Sequence, residues 1–148
     1  MKKNNIILTL LRLSLGFIFL WAFLDKTFGL GFATLAKNAW IHGGSPTYGF
    51  LSFATKGPFV DLFHAIAGNV IVDWLFMIGL LFTGVTLIIN RFTKWGCLAG
   101  AVMLFLMYIS LLLPENNPII DDHIVYIFIL ALIAEQDMNK DKIVEKSV

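Results

Sequence analysis

One cysteine in 148 residues removes several chemistries at once. Cys97 alone forms no internal disulfide, no CxxC redox pair and no cysteine-ligated cluster. It stands at the start of an apolar block, where it reads as a small packing residue. Histidine is nearly as scarce. A bis-histidine haem needs two imidazoles facing each other at depth, and of the three histidines only His123 falls within an apolar block. No HxxxH or HxxE spacing offers a zinc or iron site. No flavin motif is present, and no nucleic-acid partner is expected. Charge is thin as well: Asp, Glu, Lys and Arg make up 14% of the chain, against roughly 25% in soluble domains.

What fills the chain instead is apolar sequence, 58% of all residues, with a mean hydropathy of +0.81. It is gathered into four blocks, at about residues 6–24, 71–89, 95–113 and 119–134. As helices these span about 24–29 Å, close to a hydrocarbon core of roughly 30 Å. Inside lipid the backbone must satisfy its own hydrogen bonds, so the blocks are predicted to be helices. The expectation is an all-α membrane protein, a single domain built as a four-transmembrane-helix bundle in the cell membrane. The first block exceeds the usual length of a signal-peptide core, and Trp21-Ala22-Phe23-Leu24-Asp25 offers no small-x-small cleavage site. It is therefore read as a retained helix.

The few charges are segregated. With the N-terminus placed inside, that face carries eight basic residues (Lys2, Lys3, Arg12, Arg91, Lys94, Lys140, Lys142, Lys146) and four acidic ones, a surplus of +4. The opposite face carries Lys26, Lys37 and Lys56 against six acidic residues, a balance of −3. By the positive-inside rule both termini are cytoplasmic. Arg12 lies about two turns into the first span. It reads either as a snorkelling anchor or as a partner within the bundle.

The stretch 25–70 is the least ordinary part of the chain. Trp40-Ile41-His42-Gly43-Gly44-Ser45-Pro46-Thr47-Tyr48-Gly49-Phe50 mixes turn formers with aromatics, and Phe59, Leu62, Phe63 and Ile66 then recur at helical spacing. Such a segment is expected to cap the outer end of the bundle, lying in the interface or re-entering the membrane. Asn90-Arg91-Phe92-Thr93-Lys94 is a short basic turn that forces a helix hairpin. Gly96 and Gly100 make a small-xxx-small pair, suited to close helix packing or to forming a homo-oligomer. Pro118 can open the fourth helix, with Asp121, Asp122 and His123 in its first turns. After Glu135 the sequence turns polar and is expected to fray.

Helix ends bring the outer polar residues together: Asp25 and Lys26 close the first span, Asp73 and Trp74 open the second, and Asp122 and His123 open the fourth. On the fourth helix, Asp122 and Tyr126 are four residues apart and His123 and Tyr126 three, so one face can present all three. A carboxylate, an imidazole and a phenol so placed suit hydrogen bonding to a quinone and delivery of protons to it. Each group also has a plain reading, as a solvated helix end, a cap or a loop residue.

Read together, these pieces resemble the DoxX/DoxD membrane family. The resemblance rests on Leu11-Arg12-Leu13-Ser14-Leu15-Gly16-Phe17-Ile18-Phe19-Leu20-Trp21 followed by Asp25-Lys26, and on Ser45-Pro46-Thr47-Tyr48-Gly49-Phe50-Leu51. Gly57-Pro58-Phe59, Ala67-Gly68-Asn69 and Asp73-Trp74-Leu75-Phe76 add to it. So does Asn117-Pro118 leading to Asp121-Asp122-His123-Ile124-Val125-Tyr126. It implies a four-helix membrane oxidoreductase subunit that passes electrons from reduced sulfur, such as thiosulfate, to quinone, in the manner of the thiosulfate:quinone oxidoreductases. A second subunit or redox partner is implied with it. On this reading Asp25, Asp73, Asp122 and His123 form the polar site, and Lys26 and Arg12 balance charge. Trp21, Trp40, Trp74 and Tyr126 supply the aromatic walls. Neutral quinone suits an aromatic pocket at the interface, whereas dianionic thiosulfate meets a net-negative outer face. Two rival readings stand beside it: a non-catalytic scaffold for redox proteins, and a small transporter. The transporter would need a polar path that Thr83, Thr86, Tyr108 and Ser110 scarcely supply.

Overall fold

The structure, a computed structural model, describes residues 6–114 and 119–145, with side chains as far as Met138. Lys2, Lys3, residues 115–118 with Asn117 and Pro118, and the side chains of Lys140, Lys142 and Lys146 lie outside the described residues. The chain folds as six α-helices, with short 3-10 turns and no strand among the described residues. These are α1 (Ile6–Phe28), α2 (Tyr48–Phe53), α3 (Val60–Ala65), α4 (Val70–Ile89), α5 (Thr93–Ser110) and α6 (Asp122–Glu145). Three of them, α1, α4 and α5, are long and apolar enough to cross a membrane.

The fourth long helix departs from expectation at both ends. It starts at Asp122, leaving Ile119 and Ile120 outside, because the Asp121 carboxylate accepts the Ile124 N–H at 3.2 Å and so caps the first turn. It also continues to Glu145 instead of fraying after Glu135. No glycine or proline follows Ala134 to stop it.

Packing is antiparallel from each long helix to the next, and glycines set the crossings. A Cβ on Gly84 would lie 2.7 Å from the Leu20 nitrogen, and one on Gly16 would lie 2.9 Å from Ile88 Cγ1, so α1 and α4 touch nearly backbone to backbone. Gly96 faces Thr86, and Thr83 Oγ1 donates to Gly96 O at 3.2 Å. Gly100 sits where all four long helices converge: its Cβ would meet Thr83 Cγ2 at 2.8 Å, Leu130 Cδ1 at 3.1 Å and Phe19 Cζ at 3.3 Å. The Gly96–Gly100 pair thus serves packing within the chain. Around it Leu15, Phe19, Met77, Leu80, Leu87, Cys97, Leu104, Leu130 and Ile133 form the core.

The outward faces are apolar too. On α4, Ile71, Leu75, Ile78, Phe82 and Ile89 are exposed, while Asp73, Met77, Leu80, Thr83 and Leu87 are buried. A helix whose exposed stripe is as apolar as its buried one suits a lipid surround. The same holds for Leu10, Leu13 and Phe17 on α1, and for Leu98, Val102 and Phe105 on α5.

The helix ends are closed by side chains. Asn69 Oδ1 accepts from Ile71 N at 2.9 Å at the start of α4, and Asn90 ends that helix in the left-handed region with φ 57°. At that end Arg12 donates to the Leu87 and Ile88 carbonyls. Those are orphan acceptors of the last turn, and a cation there also complements the helix dipole. Arg12 is therefore a partner within the bundle.

Gly100→Ala is expected to lower stability by about 1–3 kcal/mol, since stiff side chains from three helices would have to move. Gly49→Ala is the matched control, because a Cβ there meets nothing within 4 Å. It should be neutral or slightly stabilising. Thermal unfolding of the two variants in one detergent checks both.

Candidate functional site

The last turn of α1 and the first turn of α4 meet under the capping segment and carry three ionisable residues. Asp25 is 2% exposed and Asp73 5%. A carboxylate so buried stays charged only where donors replace its water. For Asp25 the donors are backbone: Phe32 N reaches Oδ1 at 3.2 Å and Ala33 N reaches Oδ2 at 2.9 Å. The chain reaches that position by turning at Gly29, whose φ is 66° and whose missing Cβ leaves room for Ala36 Cα. The same turn lays Phe32 edge-on against Trp21, centroids 5.2 Å apart, and Trp21 stacks on Phe17 at 5.7 Å.

Asp73 is held differently. One oxygen, Oδ1, takes three donors: Ser45 Oγ at 2.9 Å, Thr47 N at 3.1 Å and Thr47 Oγ1 at 2.5 Å. This pins the Ser45-Pro46-Thr47 stretch onto α4 and so presents the Pro46 carbonyl to α1. Lys26 Nζ donates to that carbonyl at 2.9 Å and lies 5.7 Å from the centroid of the Phe76 ring. Beside it the 3-10 turn Trp40–His42 packs on α1, and Trp40 meets Trp74 edge to face at 4.7 Å. The cap is further tied down where Lys56 N donates to Ser110 O at 2.8 Å, at the end of α5.

The structure thus brings Asp25, Lys26, Asp73, Trp21, Trp40 and Trp74 to one end of the bundle. Arg12 does not join them. It sits fourteen residues earlier on α1, about 21 Å along the helix from Lys26 at 1.5 Å per residue, and its guanidinium caps α4. The remaining residues also stand apart. His123 Nδ1 lies 2.7 Å from Asp121 Oδ2, Asp122 is exposed, and Tyr126 packs against the apolar core. Among the described residues, no hydrogen bond, ion pair or ring contact joins Asp122, His123 or Tyr126 to Asp25, Lys26 or Asp73. His42, whose Nδ1 is 2.9 Å from Ala36 O, and His64 are both exposed. Among the described residues no three His, Cys, Asp or Glu side chains gather as metal ligands.

Sequence reasoning missed Ser45, Pro46, Thr47, Phe32 and Phe76 as parts of this site. Phe76 was within reach, being one turn from Asp73, as were two hydroxyl residues flanking a proline. The backbone donors to Asp25 leave no trace in residue identity. Beyond the chain itself, no protein-family model, no curated protein and no solved structure matches it.

The two carboxylates should respond differently to amidation. Asp73→Asn keeps one oxygen to accept all three donors and should cost little. Asp25→Asn puts an NH2 group against a backbone N–H and should cost about 1.5–3 kcal/mol. Limited proteolysis of the 29–47 segment checks this, with Asp25→Asn cleaved faster than Asp73→Asn.

Proposed function

We propose that this chain is a DoxX-like multi-pass membrane protein that binds quinone at the capped end of its bundle. Lys26 is the hydrogen-bond donor to a quinone carbonyl. One observation carries the reading. An ammonium has three N–H donors, and among the described residues that of Lys26 makes a single hydrogen bond, to Pro46 O. It shares this end of the bundle with two buried carboxylates whose own donors come from elsewhere. A cation with donors to spare, beside Phe76 and at the same end of the bundle as the Trp40–Trp74 pair, matches a flat, neutral ligand with polar carbonyl edges. Asp25 and Asp73 then position the cap.

Reducing a quinone to quinol takes two electrons and two protons. Reduced sulfur such as thiosulfate, or a partner subunit, is the proposed electron source. Asp122 and His123, at the same end of the bundle, are the proposed route for protons from solvent. In this reading α6 is the fourth span, its exposed Val125, Phe128 and Leu132 facing lipid, and the positive-inside rule places both termini in the cytoplasm.

A second reading, a scaffold that docks redox proteins, is favoured by the exposed apolar side chains on the cap. Phe32, Ile41 and Phe53 are 75%, 56% and 79% exposed. Quinone titration of the purified protein separates the two, followed by quenching of the cap tryptophans. Lys26→Met should weaken binding by roughly tenfold or more, the loss expected for a hydrogen bond to a charged group. The Asp122→Asn, His123→Gln variant should bind normally and turn over slowly. Wild-type affinity in Lys26→Met would refute the site, and co-purification of a partner with no quinone binding would support the scaffold.

A further inference from the structure

The turn between α4 and α5, at the end of the bundle opposite the capped site, carries its own recognition chemistry. Phe92 is 68% exposed and Trp95 54%, and the Arg91 and Lys94 side chains are exposed between them. Lys94 Nζ lies 5.8 Å from the centroid of the Trp95 ring, which holds cation and indole together. Phe92 takes a left-handed backbone, φ 55°, unusual for a bulky residue. It is fixed by its carbonyl, which accepts Trp95 N at 3.0 Å and Gly96 N at 3.1 Å. Asn90 beside it is also left-handed, φ 57°.

Charge on the turn itself has one sign. No Asp or Glu occurs between Asp73 and Glu115, and Arg12 adds a third cation at the same end, on the last carbonyls of α4. Among the described side chains of α6, exposed Glu135 and half-buried Asp137 also reach this end, and Asp137 lies near enough to Cys97 to act on it. Cys97 is on the buried face of α5, away from Lys94, Trp95 and Leu98. The aromatic pair runs on into the exposed stripe of Ile89, Leu98 and Val102. An apolar wall capped by an aromatic belt and two bases is the pattern of a membrane surface at headgroup depth.

We propose that this turn binds an anionic phospholipid. Arg91 and Lys94 take the phosphate-bearing headgroup, and Phe92 and Trp95 seat against the first segments of the acyl chains. The inference does not depend on quinone binding at the other end. The charge complementarity selects an anionic lipid over a zwitterionic one, and continuity with the apolar stripe selects a lipid over a soluble anion.

The test is native mass spectrometry of the full-length, delipidated protein titrated with phosphatidylglycerol or phosphatidylcholine, with and without excess inorganic phosphate. Wild type should retain phosphatidylglycerol preferentially and keep it in the presence of phosphate. Arg91→Gln with Lys94→Gln should weaken that retention on the order of tenfold, and Trp95→Ala should weaken it less. Thermal shift of the unmodified protein gives an independent readout: phosphatidylglycerol should raise Tm and phosphatidylcholine should not. Equal retention of the two lipids, unchanged retention in the double variant, or displacement by phosphate would each overturn the proposal, the last by making this a site for a soluble anion.

Discussion

The capped end of this protein depends on giving two buried carboxylates hydrogen-bond donors where water is largely excluded. An ionised carboxylate removed from water is destabilised by several kcal/mol unless hydrogen bonds replace its hydration. Asp25 and Asp73 sit in that position, and the donors that stabilise them come from the segment between α1 and α4. Satisfying Asp25 folds 29–33 back over the end of α1 and lays Phe32 on Trp21. Satisfying Asp73 pins Ser45 and Thr47 on α4 and turns the Pro46 carbonyl toward Lys26. The cap is ordered by the hydrogen-bonding needs of two side chains as well as by its own apolar contacts.

This arrangement divides labour among residues that sequence spacing would treat as equals. The carboxylates are engaged by donors and act as struts. Lys26 donates to one carbonyl and, on the proposed reading, keeps its remaining donors for a ligand. The rigidity that this requires comes from below. Gly16, Gly84, Gly96 and Gly100 bring the four long helices close enough that neither α1 nor α4 can shift alone, and Arg12 fastens the far end of that pair.

Much of this was legible in the sequence. Long apolar blocks bounded by charge gave α4 and α5 to within a few residues, and α1 ran one turn further than expected. The glycine and aromatic content of 25–70 marked it as a cap, and the acids and tryptophans in and flanking it marked the end where Asp25, Lys26, Asp73, Trp21, Trp40 and Trp74 gather. What escaped was the pairing. Helical spacing put Asp122, His123 and Tyr126 on one face, yet His123 turned to Asp121, two residues back, because that carboxylate was already fixed as the α6 cap. Arg12 had two readings, and only its tertiary contact with the end of α4 chose between them. Backbone donors and acceptors, which complete Asp25, Lys26 and Arg12, are the same for nearly every residue type, so sequence carries no sign of them.

The central claim is that ligand chemistry resides at the Lys26 end, framed by α1, the cap and α4. A photoreactive quinone analogue, cross-linked to the protein in native membranes and mapped by peptide mass spectrometry, tests this most directly. The account predicts labelling within 17–47 and 73–76, suppressed by excess unlabelled quinone. Competable labelling confined to α5 and α6, or no competable labelling anywhere on the chain, would contradict it.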